Sequence, residues 1–266
     1  MKYKKRIHIA PVGFEVDRIV EPAVEYKADK VYLLVHDNKK EDKATTYIEN
    51  VIKELKQNKI QSEKVLVNWR DVESITKAAR KLLLKLQDDD VFVNIASGSK
   101  THAIALDRAI MTLGDDQKNI TEFYAESKAY EGFKPGKKQL SVGVKEIKEI
   151  PKRQMVLPEG NDLIALKILY AESIANSHAC TFPCYKEHKL QKGKHNWGGM
   201  MKSHLADKCV DAGAIPPAGN RKTSLDKKII QRLLTKWTYI KITPSGRGFK
   251  VSLTTDGMAF LYEMTE

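Results

Sequence analysis

At 266 residues, 42% hydrophobic and 30% charged, the chain is excluded from the disordered and low-complexity classes and has room for two domains. Its net charge of +12 is uneven: residues 1–150 carry 28 Lys+Arg against 24 Asp+Glu, a net of +4, and the remaining 116 carry 18 against 10, a net of +8. Three cysteines, two of them four apart, exclude a disulfide framework, and no run reaches the ~20 apolar residues of a membrane span.

The basic start MKYKKR precedes an apolar run, 7–14, that is short and holds His8 and Pro11, a poor signal peptide. A cytoplasmic protein with no membrane partner is the expectation.

Apolar runs at 6–12, 30–35, 64–69 and 91–96 predict four strands, 120–125 a fifth, and the alternating run 140–147 a sixth at an exposed edge. Helical periodicity fills the intervals. Ile48, Val51 and Leu55 share one face, Ile75, Ala79 and Leu83 another, and 101–113 is apolar nearly all round. A first helix over about 15–27 is interrupted by Pro22, which predicts a kink or an early stop. Strands alternating with helices imply parallel βαβ units, an α/β Rossmann-like domain over residues 1–147 with a mostly parallel sheet. The polar stretch 131–139 has no helical pattern, so the last two strands are expected to pair as a hairpin.

Residues 148–161, with Pro151, Pro158 and Gly160, read as a linker to a second domain over 162–266. That domain opens with a helix over 162–176 and a second over about 199–212, with 177–197 unassigned. A third helix, capped by Ser224, runs to about Lys236 with Leu225, Ile229, Ile230 and Leu233 inward and Lys227, Lys228, Gln231 and Arg232 outward. Two strands follow around Pro244-Ser-Gly-Arg-Gly248, then a short closing helix. This order resembles the winged helix-turn-helix, and SLTTDGMAFLY resembles the end of a wing and the last helix of such regulators. Double-stranded DNA is then the expected partner. Lysines, Arg247 and Lys250 would hold phosphates, and Gln231 or Arg232 would read base edges. A solvated amphipathic helix and a protein-docking module remain open on the same residues.

In an open α/β sheet, ligands sit beyond the carboxyl ends of the strands. After the first strand comes Pro11-Val12-Gly13-Phe14-Glu15, and after the fourth Asn94-Ile95-Ala96-Ser97-Gly98-Ser99-Lys100-Thr101-His102, entering a helix. Small residues and helix-terminal amides there suit an anion, with Lys100 adding charge and Ser97 and Ser99 hydroxyl donors. Neither a Walker loop nor G-x-G-x-x-G is present, and a plain strand-to-helix turn stays open as the alternative.

APVGFEVDRIVEP together with NIASGSKTHAIA resembles the CRISPR-associated Rossmann-fold (CARF) regulators, which join a CARF domain to a C-terminal winged helix. The resemblance implies a homodimer whose paired domains bind a cyclic oligoadenylate, cyclic tetra-adenylate foremost, linked to DNA binding in transcription regulation and antiviral defence. Carried over by position, the contacts are Val12, Gly13, Phe14, Ser97, Gly98, Ser99 and Lys100. Gly98-Ser99 departs from the Gly-Gly often found in that loop. A non-enzymatic sensor is expected, with weak cleavage of its own ligand as the rival, assisted by Ser99 and Lys100, and a CARF-gated protein adaptor as another. His178, Cys180, Cys184 and His188 could be zinc ligands, but C-x3-C without a second Cys pair is a weak signal, so no metal and no cofactor beyond the ligand is expected.

Overall fold

The computed structural model describes residues 3–38, 40–113, 118–132, 139–152, 156–176, 199–217 and 219–264. The unassigned stretch 177–197, with its His and Cys residues, and residues 133–138 of the polar stretch lie outside them. The chain divides into two compact units, Met1–Val156 and, from Leu157, Leu157–Thr265.

In the first unit six strands, β1 (Arg6–Pro11), β2 (Lys30–His36), β3 (Gln61–Val67), β4 (Asp90–Asn94), β5 (Ile120–Tyr130) and β6 (Ser141–Glu149), form one sheet in the order β3-β2-β1-β4-β5-β6. Every pairing is parallel except β5 with β6, which form the expected antiparallel edge hairpin. The result is a mostly parallel, mixed sheet of Rossmann-like α/β type. Four helices cover it: α1 (Asp17–Glu25), α2 (Thr45–Gln57), α3 (Val72–Lys85) and α4 (Lys100–Met111).

Alternation along the strands divides the core. Ile7, Ile9, Val91 and Val93 pack with Ile75 and Leu83 of α3 and Leu106 of α4, whereas Val31, Leu33 and Val35 pack with Ile19 and Val20 of α1 and Val51 and Leu55 of α2. These fully buried aliphatic side chains each contribute roughly 1.5–3 kcal/mol of burial. β3 begins three residues before the predicted run because its polar half pairs with β2 at an exposed edge, from Lys30 with Gln61 onward.

Pro22 neither stops nor ends α1 at once; the helix continues to Glu25. Proline lacks the N–H that would bond the Arg18 carbonyl one turn back, and Asn94 Nδ2 donates to that carbonyl instead at 2.7 Å. The missing helix bond thus becomes a tie between α1 and the end of β4.

In the second unit α5 (Gly160–Asn176), β7 (Met200–Met201), α6 (Lys202–Asp211), a helix α7 over 221–235, β8 (Ile240–Ser245), β9 (Gly248–Leu253) and α8 (Thr255–Met264) follow in order. The sheet order is β7-β9-β8, both pairings antiparallel. Within α7, Arg221–Leu225 and Gln231–Thr235 flank a π turn, Asp226–Ile230. Its cap is Asn220, whose Oδ1 accepts from the Thr223 amide at 3.2 Å, so the helix starts before the expected Ser224. Leu166, Leu169, Leu205, Leu225, Ile229, Leu233, Val251 and Phe260 make one core.

Candidate functional site

Strand order reverses between β1 and β4: from β1 the chain moves outward through β2 and β3, then returns to β4 on the other side of β1. A crevice opens at such a point because the two following loops leave toward opposite faces. The loops here, 12–16 and 95–99, are the two singled out in the sequence. They close backbone to backbone. A β-carbon on Gly13 would lie 3.0 Å from both the amide nitrogen and the Cα of Gly98, and one on Gly98 only 2.7 Å from Pro11 Cβ. Gly98 also has φ +79°, a conformation that favours glycine.

Buried polar side chains hold both loops. Arg18 Nη1 donates to both carboxylate oxygens of Glu15 at 3.0 Å, Arg18 Nε donates to the Ala125 carbonyl at 2.8 Å, and Ser141 Oγ donates to Glu15 Oε1 at 2.7 Å. Gln139 Oε1 accepts from the amides of Val16 and Asp17 at 2.7 and 3.0 Å, capping α1 from a segment far away in sequence. Asn94 completes the frame, its Oδ1 accepting from the Ala96 amide at 2.8 Å. With these bonds made, the two loops are held in place.

At the mouth of α4, Ser99 is the cap. His102 is buried, and burial, with the nearby His36, lowers its pKa to about 4. A neutral ring lets Nδ1 accept from the Ser99 hydroxyl at 2.8 Å, which puts the ring proton on Nε2. The Ser99 oxygen in turn accepts from the His102 amide at 3.4 Å. Ser99 thereby caps α4 and shapes the helix start. Helix geometry leaves the amides of Lys100 and Thr101 without intrahelical acceptors, next to the exposed Lys100 side chain.

The other predicted contacts divide. Gly13 and Gly98 form the open seam. Val12 is buried, its amide donating to the Leu34 carbonyl at 3.0 Å, and the half-buried Phe14 ring packs edge-on against Tyr47 at 5.3 Å. Ser97 is 2% exposed and its Oγ lacks a partner.

Sequence reasoning gave no role to Arg18, Asn94, Gln139 or His36. His36 ends β2, and its ring meets Trp69 edge-on at 5.6 Å. Its Nδ1 lies 3.0 Å from the Asn38 amide and 2.9 Å from Asp37 Oδ1, while Nε2 is buried without a hydrogen-bond partner, as is Trp69 Nε1. Asking which polar residues end each parallel strand would have found it.

In the second unit Lys227, Lys228 and Gln231 are exposed on α7, and Arg247 is exposed in the two-residue turn between β8 and β9. Lys250 is half-buried within β9. Arg232 differs from the expectation of a free base-reader: Nε and Nη2 donate to Asp162 Oδ2 and Oδ1 at 2.8 and 2.9 Å, a bidentate pair that joins α7 to the first turn of α5. Among the described residues no three His, Cys, Asp or Glu side chains group as metal ligands, and no helix is long and apolar enough to cross a membrane.

The family described as HFX_2341_N:-like, N-terminal, matches residues 6–130, somewhat under half of the chain. The uncharacterized protein MJ1513 of Methanocaldococcus jannaschii is 27% identical over 190 residues, which are 63% of this chain and 57% of that protein. The chain thus spans little more than half the length of this curated relative. Of solved structures, Can2 from Sulfobacillus thermosulfidooxidans in complex with cyclic tetra-adenylate is 13% identical over 97% of this chain and 63% of its own, with a TM-score of 0.38. Enterococcus italicus Csm6 bound to cyclic hexa-2'-fluoro-hexa-dAMP is 9% identical over 89% and 55%, with a TM-score of 0.40.

Proposed function

We propose that the first unit senses a cyclic oligoadenylate, held over the β1–β4 crevice, and that the second is a winged helix binding double-stranded DNA, two protomers acting as a homodimeric transcriptional regulator. The observation that carries the sensor reading is the Gly13–Gly98 seam beside the open end of α4. Two backbones in contact, helix-terminal amides and the Lys100 ammonium together make a cradle for a phosphodiester. The motif resemblance names the ligand class.

The DNA reading is supported by the order α5, β7, α6, α7, hairpin, α8, in which α7 takes the place of a recognition helix with Lys227, Lys228 and Gln231 outward and Arg247 at the wing tip. In this reading the ligand is held rather than cut, with slow cleavage of the bound ligand as the rival outcome.

Calorimetry with cyclic tri-, tetra- and hexa-adenylate tests the sensor, with chromatography of the ligand afterwards. One ring size is expected to bind and to be recovered intact, and Lys100→Ala to weaken it by about 1.5–3 kcal/mol. No binding of any ring would overturn the reading, and a linear product would replace sensing by cleavage.

A further inference from the structure

A cavity lies away from the Gly13–Gly98 seam, at the opposite end of the first unit's sheet. It has a volume of about 210 Å³ and is walled by Ile110 and Met111 at the end of α4, Ile120 at the start of β5, and Ile150 and Pro151 after β6. That is room for about seven waters at their liquid volume. Three ionisable side chains line it: Asp107 from α4, Glu122 from β5 and Lys152 from the segment after β6. Glu122 is 7% exposed and its Oε1 has no hydrogen-bond partner. The Lys152 ammonium donates to the Lys118 carbonyl at 3.2 Å.

A buried carboxyl oxygen without a partner is costly, and cores rarely keep one without a use. Asp107 makes matters worse for an anion at Glu122: burial and this second carboxylate together raise the Glu122 pKa to about 7. A cation entering the cavity would offset the second effect and give Oε1 a donor. The walls decide which kind. Five apolar side chains cannot replace the hydration shell of a small metal ion, which asks for six or more oxygen ligands. They suit a hydrocarbon chain.

We propose that this cavity binds a small organic cation, a primary ammonium on a short aliphatic stem, with Glu122 as its counter-ion and Asp107 reinforcing the field. The ammonium donates to Glu122 Oε1, and the stem lies along Ile110, Ile120 and Ile150. Binding ionises Glu122, so near neutral pH each ammonium taken up releases part of a proton to the buffer.

The test is calorimetry on the full chain with n-butylammonium chloride, repeated in two buffers of different ionisation enthalpy, beside magnesium chloride. Butylammonium is expected to bind with proton release, magnesium to leave the protein silent, and Glu122→Gln to weaken butylammonium by about tenfold or more. Thermal unfolding confirms that the isosteric variant is folded. Equal affinity in Glu122→Gln, absence of butylammonium binding at millimolar concentrations, or a preference for magnesium would each overturn the proposal. Cyclic oligoadenylate binding is measured on the same samples; it is independent of this cavity and is expected to be unchanged.

Discussion

Gly13 and Gly98 touch backbone to backbone, with a β-carbon on the first only 3.0 Å from the Cα of the second. A methyl group is therefore a ruler for this seam. On Gly98 it meets Pro11 Cβ at 2.7 Å and must also hold φ at +79°. Gly98→Ala is expected to cost about 1–3 kcal/mol of stability, read by urea unfolding. On Gly13 no such backbone strain arises, so Gly13→Ala should cost less and act mainly on ligand affinity by parting the loops a few tenths of an ångström. A Gly98→Ala protein as stable as wild type would show that the seam is loose.

Acid should weaken the first unit through two histidines. Burial lowers the pKa of His8 to about 3 and that of His102 to about 4, from 6.5. Between those values and pH 6.5 the unfolded chain binds protons that the folded chain does not, so stability falls as pH drops from 6.5 toward 4. The loss at His102 is about 3 kcal/mol at full extent. Glu122 works in the opposite sense, since its raised pKa of about 7 lets the folded chain keep a proton that the unfolded one gives up above pH 4.5. Urea midpoints at pH 7, 5.5 and 4.5 separate these. His102→Gln should flatten the acid side and Glu122→Gln should stabilise the protein most above pH 7. A profile unchanged by His102→Gln would mean that the ring is charged in the fold.

Strand periodicity and the β–α alternation were enough to read the sheet, because the central strands β1, β2 and β4 are largely buried and declare themselves as apolar runs, while β6 alternates as an edge strand does. The seam was legible too, since small residues after β1 and β4 carry a local signal. What was not legible depends on pairing across long separations. Gln139 caps α1 from 122 and 123 residues away, and Asn94 takes the carbonyl that Pro22 frees. Arg232 looked free on a helical wheel because a wheel shows only the helix's own residues, and its partner Asp162 is 70 residues distant.

The Arg232–Asp162 pair is expected to be structural. Asp162 has a side chain 9% exposed and Arg232 one that is 50% exposed, so solvent screens the pair from one side. A double-mutant cycle with Arg232→Ala and Asp162→Ala should give a coupling of about 1 kcal/mol in unfolding, rather than the several of a fully buried pair. DNA affinity of Arg232→Ala, corrected for the unfolded fraction, should change little. A large specific loss at one base position, with stability intact, would return Arg232 to the role of reader.

The outward face of α7 then carries the DNA prediction on Lys227, Lys228 and Gln231. A lysine on phosphate contributes through counterion release, so Lys227→Ala and Lys228→Ala should each weaken all sequences alike and reduce the slope of log K against log salt by about one unit. Gln231 has an amide that matches the major-groove edge of adenine, and Gln231→Ala should relax preference at one position at a cost of about 1–3 kcal/mol. Arg247 sits in a two-residue turn beside Gly246, whose φ is +58°, and behaves in this scheme like the lysines. Because all four side chains are exposed and, among the described residues, make no side-chain hydrogen bond or ion pair, their alanine variants should unfold like wild type, which separates a lost contact from a lost domain. Shift assays across a salt series, with the operator found by footprinting, read both behaviours at once. Wild-type affinity and salt slope in the Lys227, Lys228 and Gln231 triple alanine variant would take α7 off the DNA and leave a protein partner as the occupant of this face.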